Sequence, residues 1–413
     1  MKQLSAKERE KYLNDRLRHI VKHAYDNAPT IKKKFDAAGV KPSDIRTIKD
    51  LEKVSITRKD EMMRLQSENP PFGGFLAVPL EKLEKVFISP GPIYDPQTLK
   101  RTAGTAAGAL SVAKLGKGDR VVNAFSYHLM PGAHWFDEAV RMLGGTVIPT
   151  GVGNTDVQVK TMHDLGVTGY TGTPSFLNTV IKRAEELGYD FRRDFKLRFA
   201  AVGAEPLPLS LRKSFEEDYG IQVVDTYGTA ELGLLTYSCE RGEGTHIVED
   251  IILEIVDPST GKQLGPGKTG EVVATTFDEA YPLIRYGTGD LSYYSDEPCA
   301  CGRTSNRLMR IVGRVGDAVK IRGVFVHPRQ VEQCLTDFPE VTKFQLVIDR
   351  MEQRDRAVIK VEVLEKVEVA TICEGIEKRF SELCTVRLDR VECVPTGVIP
   401  VDAKIISDQR KWE

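Results

Sequence analysis

From about residue 85 to residue 229, short apolar runs alternate with amphipathic runs of helical length, and this rhythm constrains the fold more than any other feature. The runs "KVFIS", "DRVVNAF", "TVIPTG", "VTGYTGTP", "LRFAAVGAE" and "IQVVDTYG" read as strands. Between them, "TAAGALSVAKLG", "WFDEAVRMLGG", "TDVQVKTMHDLG", "PSFLNTVIKRAEELG" and "LPLSLRKSFEEDYG" read as helices with a polar face. Such an alternation predicts a largely parallel sheet covered by helices on both sides. Ligands of such sheets sit beyond the carboxyl ends of the strands, so the loops after "FIS", "NAF", "AVG" and "VVDTYG" are the candidate site.

The flanking segments follow other patterns. Residues 5–39 read as helical, with Leu13, Leu17, Ile20, Val21 and Tyr25 at helical spacing. Short connecting helices are expected between Ser43 and Glu61, with Ser55 or Thr57 as a cap. Past residue 235, "HIVEDIILEIVD", "GEVVATTF" and "LIRYGTGDLSYY" alternate like antiparallel strands around the turn segment "PSTGKQLGPGKTG". Near residue 314 a second α+β unit begins, with strands "AVKIRG", "KFQLVIDR", "RAVIKVEVLE" and "VRLDRVECV" and two helices. A chain of 413 residues exceeds what one hydrophobic core supports. The expected class is α/β: a large domain over 1–313, with mostly parallel sheets flanked by helices plus a small β-rich part, and a small α+β domain over 314–413.

Composition narrows the function by exclusion. A formal net charge of -1 gives no bulk attraction for nucleic acid, and the run Lys32, Lys33, Lys34 reads as a solvated helix face. No apolar run reaches the roughly 20 residues of a membrane span. The charged start, Met1 to Glu10, lacks the apolar stretch of a signal peptide, so a cytoplasmic location is expected. Seven cysteines, an odd number, then favour thiols or metal ligands over a disulfide framework.

Three segments carry the chemistry in order: "DTYGTAELG" (225–233), "YGTGDL" (286–291) and "GRVGDAVKIRGVFVHPRQVE" (313–332). Together they resemble the adenylate-forming (acyl-CoA synthetase) superfamily. "AVGAEPLP", "PLIRYGTGDL", "PCACGRTSNR" and "IRGVFVHPRQVE" are similar to the phenylacetate–coenzyme A ligases within it, and the resemblance covers nearly the whole chain. It implies an ATP-dependent ligase that joins a carboxylic acid to coenzyme A. A carboxylate attacks the α-phosphorus of ATP, and a thiol then displaces AMP from the acyl-adenylate. Both steps concentrate negative charge, so positioning and electrostatic stabilisation carry the catalysis.

The resemblance also implies roles. Tyr227 stacks on adenine, with Gly228 and Thr229 continuing the motif and Gly203, Ala204 and Glu205 lining the other edge. Glu231 holds Mg²⁺, a hard cation that prefers oxygen. Asp290 accepts from the ribose hydroxyls, assisted by Arg314. "VIPVDAKIISDQR" is similar to the segment that carries the adenylation lysine, which makes Lys404 the candidate, although Ala403 stands where a glycine is usual. The small C-terminal domain would be a mobile lid pivoting around residues 314–317. A homodimer is compatible with a soluble enzyme of this size.

Two departures from the family pattern leave an alternative open. The stretch Ser89-Pro90-Gly91-Pro92-Ile93-Tyr94-Asp95-Pro96 stands where a lysine-bearing phosphate loop is usual. Anion cradles use backbone N–H groups, and the prolines here remove donors. Asp95 adds a negative charge with no lysine to compensate, and Ala230 replaces the hydroxyl residue before Glu231. Either other groups such as Ser89, Thr229 and Mg²⁺ hold ATP, or the chain is a non-adenylating ligand-binding paralogue or acyltransferase.

Two further groupings stand out. Tyr127, His128, Trp135 and Phe136 follow the strand "NAF" and, with "GTPSF" (172–176), could form an aromatic wall for an aryl acid. His128 could meet the carboxylate or the thiol step, or be merely structural. Cys239, His246, Cys299 and Cys301 make a Cys₃His set suited to structural tetrahedral zinc, if adjacent antiparallel strands join the two halves. Cys334, Cys373, Cys384 and Cys393 read as packing residues.

Overall fold

A computed structural model describes residues 4–89, 92–97, 103–241, 243–316, 319–321, 324–326, 328–351, 354–364, 368–384 and 386–410. It divides into two compact units, one of residues 1–288 and 293–310, the other of 289–292 and 311–413.

The first unit is built on a nine-stranded sheet. Five strands are parallel, in the spatial order Thr146–Ile148, Arg120–Asn123, Gly169–Gly172, Phe199–Val202 and Gln222–Thr229. Four antiparallel strands extend it: Gly233–Tyr237, Thr245–Ile247, Arg307–Leu308 and Tyr294–Ser295. The chain folds this way because its strands are apolar on both faces. Gly169–Gly172 and Phe199–Val202 are buried at every position, as a sheet covered twice requires. One cover places Val159, Met162, Leu177, Val180 and Ile181 against Val122, Tyr170 and Val202. The other places Ala106, Leu110, Trp135, Phe136 and Val140 against Val121, Phe199 and Val224.

Several local expectations are corrected. "KVFIS" is a strand but not part of the nine-stranded sheet: Lys85–Ser89 pairs antiparallel with Ile93–Gln97 in a separate hairpin. The segment expected to be a loop is therefore half strand; Pro90 and Gly91 lie outside the described residues. Helix Ala103–Val112 is not amphipathic, because it is buried on most of its faces and its alanines allow close packing. "HIVEDIILEIVD" splits between two sheets, since Val248–Asp250 turn the chain between Thr245–Ile247 and Ile251–Val256. Helix Lys59–Glu68 starts after Arg58 with no side-chain cap from Ser55 or Thr57. The Thr57 hydroxyl instead accepts from Lys34 Nζ at 2.7 Å.

The strand Tyr286–Ser292 carries the chain from the first unit into the second, where Asp290 pairs with Arg314 and Leu291 with Gly313. There, the hairpin Val341–Met351 and Arg354–Val363 is flanked by parallel strands Arg390–Val394 and Ile406–Asp408. The last of these strands was not anticipated. Helices Pro328–Thr336 and Val369–Cys384 contribute Val331, Cys334, Ile376 and Phe380 to that unit's core, which fixes two of the cysteines as packing residues. Among the described residues no helix is long and apolar enough to cross a membrane.

Candidate functional site

The strand Gln222–Thr229 and the turn after it bring most of the first unit's candidates together. Two glycines set the close approaches. A Cβ on Gly203 would lie 2.4 Å from Thr226 Oγ1, and one on Gly228 would lie 2.4 Å from the Gly233 carbonyl, so neither position admits a side chain without a shift. Ala204 follows with φ 67°, left-handed backbone that costs an alanine about 1 kcal/mol or more. Strain of that kind is kept where the surrounding structure needs the exposed backbone. Glu205 accepts from the Ser175 backbone N–H at 2.7 Å, tying this loop to the start of helix Pro174–Glu186. Tyr227 is half-buried, opposite Thr236, beside a register shift in the ladder. Thr229 Oγ1 accepts from Leu232 N at 3.3 Å and so closes the turn that presents Glu231.

Glu231 is only 2% exposed. A carboxylate so buried needs partners. Ser89 Oγ donates to its Oε1 at 2.7 Å, and Lys59 Nζ lies 3.3 Å from the same oxygen. Lys59 corrects the expectation that no lysine stands near the proline-rich segment. Asp95 is corrected too: it is fully buried within the hairpin, where Gln97 Nε2 donates to it, rather than presented to an approaching anion. The buried Tyr286 lies within the electrostatic reach of Glu231. Among the described residues its buried hydroxyl has no hydrogen-bond partner, and burial, then Glu231, Tyr281, Asp95 and Asp60, push the phenol far above its ordinary range.

The aromatic residues after Asn123 divide. Tyr127 donates to Asp137 Oδ2 at 3.1 Å and accepts from Asn123 Nδ2 at 2.9 Å. Its ring meets His134 edge-on with centroids 5.3 Å apart, and His134 also packs on Phe87 at 5.1 Å. Trp135 points instead into the core, where its Nε1 donates to Gln97 Oε1 at 3.1 Å. Phe136 stacks on Phe125 at 5.4 Å in the same core. His128 is exposed, next to Leu129, whose φ of 60° turns the chain. The Leu129 carbonyl accepts from Ile88 N at 2.9 Å, fastening this loop to the hairpin.

The second unit holds the other candidates. Asp290, after the left-handed Gly289, faces Arg314 across two strands, with Arg314 Nε 3.2 Å from Asp290 Oδ1. Lys404 is exposed on the loop before Ile406–Asp408, and its carbonyl is held by Gln345 Nε2 at 2.9 Å. Gly316 has φ 98°, a conformation that glycine adopts readily, while Asp317 lies outside the described residues.

Cys239, His246, Cys299 and Cys301 do converge: one donor atom from each lies within 4.8 Å of the others. The register Arg307↔His246 brings the loop that precedes Arg307–Leu308 beside the strand of His246, the juxtaposition the sequence required. Ser305 Oγ and its carbonyl lie 3.2 Å from His246 Nδ1. That contact leaves Nε2 directed at Cys301 Sγ, 3.3 Å away. A ring nitrogen fixed from behind is the usual arrangement for a metal-binding histidine, and three soft sulfurs with one imidazole fit zinc.

Sequence reasoning missed Lys59, His134 and Arg285. Lys59 was hidden because the contact with Glu231 spans most of the first unit. His134 sits one position before the tryptophan that drew attention, and a helical register with Trp135 and Phe136 inward would have set it on another face. Arg285 lies within "PLIRYGTGDL"; it is fully buried, with Nη2 2.9 Å from Glu254 Oε1 and Nη1 donating to the Val54 carbonyl at 2.9 Å.

The chain is similar to known proteins along most of its length. Residues 98–276 match the family of AMP-binding enzymes, and residues 323–410 match the AMP-binding enzyme C-terminal domain. A phenylacetate–coenzyme A ligase of Thermus thermophilus is 36% identical over 364 residues, covering 85% of this chain and 80% of that protein. The phenylacetate–coenzyme A ligase of Escherichia coli is 34% identical over 405 residues, covering 93% of this chain and 90% of that protein. Among solved structures, an open conformation of 2-hydroxyisobutyryl-CoA ligase in complex with 2-HIB-AMP and CoA superposes with a TM-score of 0.90 at 26% identity, covering 98% of this chain and 92% of that one. With relatives of this identity matched along most of their length, the chain belongs to the phenylacetate–coenzyme A ligase family of AMP-binding enzymes.

Proposed function

We propose that this chain, an AMP-forming acyl-CoA ligase that works through an acyl-adenylate, takes an aryl acid of the phenylacetate type. The observation that carries the reading is the identity of 34–36% with ligases of that name over most of the chain. The family and the buried position of Asp95 do not favour a non-adenylating paralogue or acyltransferase.

The residue roles follow from this reading. Tyr227 stacks on adenine beside Gly203, Ala204, Glu205, Gly228 and Thr229. Glu231 is the oxygen ligand for Mg²⁺, which would neutralise phosphate charge when bound. Asp290 and Arg314 take the ribose, and Lys404, on the C-terminal lid domain, supplies the adenylation ammonium. Tyr127, His134 and Phe87 form the aromatic wall for the acid, with His128 at its mouth. Cys239, His246, Cys299 and Cys301 hold a structural zinc; four protein ligands leave no open position for catalysis.

Carboxylate-dependent exchange between ATP and pyrophosphate, run with a panel of aryl and short-chain acids and Mg²⁺, tests the reading. Exchange strongest with phenylacetate or a close relative is expected, followed by thioester formation when coenzyme A is added. Exchange confined to short aliphatic acids would reject the aryl assignment, and no exchange with any acid would reject adenylation.

A further inference from the structure

Three side chains meet at one carboxylate oxygen. Ser89 Oγ and Lys59 Nζ lie 2.7 and 3.3 Å from Glu231 Oε1. Two of the three are sealed: Ser89 and Glu231 are each 2% exposed. The Lys59 side chain keeps 35% of its surface open. An anion that approaches this carboxylate from solvent therefore meets the ammonium. The surroundings give that charge a purpose. Asp60 and Glu231 both bear on the buried Tyr286, and carboxylates so placed would repel a polyphosphate. The proline-rich segment that begins at Ser89 brings no lysine of its own.

We infer that Lys59, at the start of helix Lys59–Glu68, is the cation for the β- and γ-phosphates of ATP, the stretch Ser89 to Pro96 having no lysine. Before nucleotide binds, its ammonium balances Glu231, whose burial needs an opposite charge. A divalent cation held by Glu231 would supply that balance and leave Lys59 for the phosphates. During adenylation the acid's oxygen forms a bond to the α-phosphorus while the bond from that phosphorus to the bridging oxygen breaks. Pyrophosphate leaves with the bonding pair, and Lys59 offsets the charge that gathers on it. AMP and the acyl-adenylate lack these two phosphates, so Lys59 discriminates ATP from both.

This inference rests on the nucleotide site proposed above, and the experiment separates the two. ATP and AMP are titrated calorimetrically into the full chain with Mg²⁺, for the wild type, Lys59→Met and Lys59→Arg. Losing one charge-assisted contact is expected to weaken ATP about tenfold or more in Lys59→Met while AMP stays within about twofold of wild type. Lys59→Arg keeps the charge and is expected to retain most of the ATP affinity. If Lys59 were only the counter-ion of Glu231, Lys59→Met would weaken ATP and AMP together and lower the melting temperature, and that result would overturn the assignment. So would unchanged affinity for both nucleotides. A wild type that binds neither nucleotide overturns the site itself, and Lys59's part with it.

Discussion

Asp290 and Arg314 face each other in register on neighbouring strands of the second unit, 3.2 Å apart between Oδ1 and Nε. The pair is unequal: the arginine side chain is 58% exposed and the carboxylate 19%. Pairing at so exposed a guanidinium contributes little stability by itself. The arrangement makes better sense as a carboxylate held in one orientation. ATP and AMP share the ribose, so Asp290→Ala is expected to weaken both by a similar factor, roughly ten- to a hundredfold for lost hydrogen bonds to a charged acceptor. Calorimetric titration of both nucleotides checks this. A loss confined to ATP would place Asp290 at the phosphates instead.

The four-residue Cys₃His cluster predicts metal in the purified protein. About one equivalent of zinc per chain is expected by elemental analysis. Cys301→Ser should lower that content and the melting temperature together, because a metal bound only by the folded chain stabilises it. Chelation should lower the wild-type melting temperature towards that of Cys301→Ser. Zinc absent from protein expressed in zinc-supplemented medium would reject the assignment.

How much of this was legible beforehand depended on the range of the interaction. The parallel sheet could be read because each of its strands is a short apolar run closed by a turn, a signal local to the sequence. The Cys₃His cluster could be read because Cys and His are scarce and chemically conspicuous. The hairpin from Lys85 to Gln97 could not: "KVFIS" looks like any buried strand, and only Asp95, Gln97 and Trp135, bonded to one another inside the protein, reveal where its partner goes. Lys59 was illegible for the same reason, since its partner Glu231 is 172 positions further along and nothing in "ITRKDEMMR" marks one cation among three. The roles of Asp290 and Lys404 came from family resemblance, not from spacing.

Arg285 and Glu254 form a buried ion pair, with side chains 2% and 1% exposed. The guanidinium is saturated: it also donates to the carbonyls of Val54 and Gly261 at 2.9 and 2.7 Å. It thereby ties the start of the chain to the segment that leads into "YGTGDL". Glu254→Ala leaves the arginine charged and buried, and a destabilisation of roughly 3–5 kcal/mol is expected. Glu254→Gln, which keeps an acceptor, should cost less. Chemical denaturation of both variants measures this, and a stability unchanged in Glu254→Ala would deny the pair any structural part.

Asp225 gives a pH signature. Burial raises its carboxyl to about 6, outweighing the nearby Arg212 and the Thr226 backbone N–H. The folded chain then binds a proton more tightly than the unfolded one, whose aspartate titrates near 3.8. This contribution to stability is complete below about pH 3.8 and is lost as pH rises through about 6. At neutral pH the buried charge costs about 3 kcal/mol at the conversion of 1.36 kcal/mol per unit. Asp225→Asn, measured by melting temperature from about pH 3 to about pH 8 to span both titrations, should flatten that part of the profile and melt higher than wild type at about pH 7. A variant whose profile parallels the wild type would remove Asp225 from the account.

The last expectation separates chemistry from packing in the aromatic cluster. His128 is exposed, so its loss removes little buried surface, whereas His134 is wedged between Tyr127 and Phe87. Burial, then the ammonium of Lys85 whose Nζ lies 3.2 Å from Nδ1, lowers the His134 imidazole below its ordinary range and keeps it neutral at physiological pH. His134→Ala is expected to destabilise the first unit by about 1–3 kcal/mol through lost ring contacts. It should also raise the KM for the acid. His128→Ala should leave the melting temperature near wild type and lower turnover by about a hundredfold, the lower end for removal of a general acid or base. If His128→Ala lost activity only in step with stability, the imidazole would be structural, and the acid step would fall to groups already named around Glu231 and Lys404.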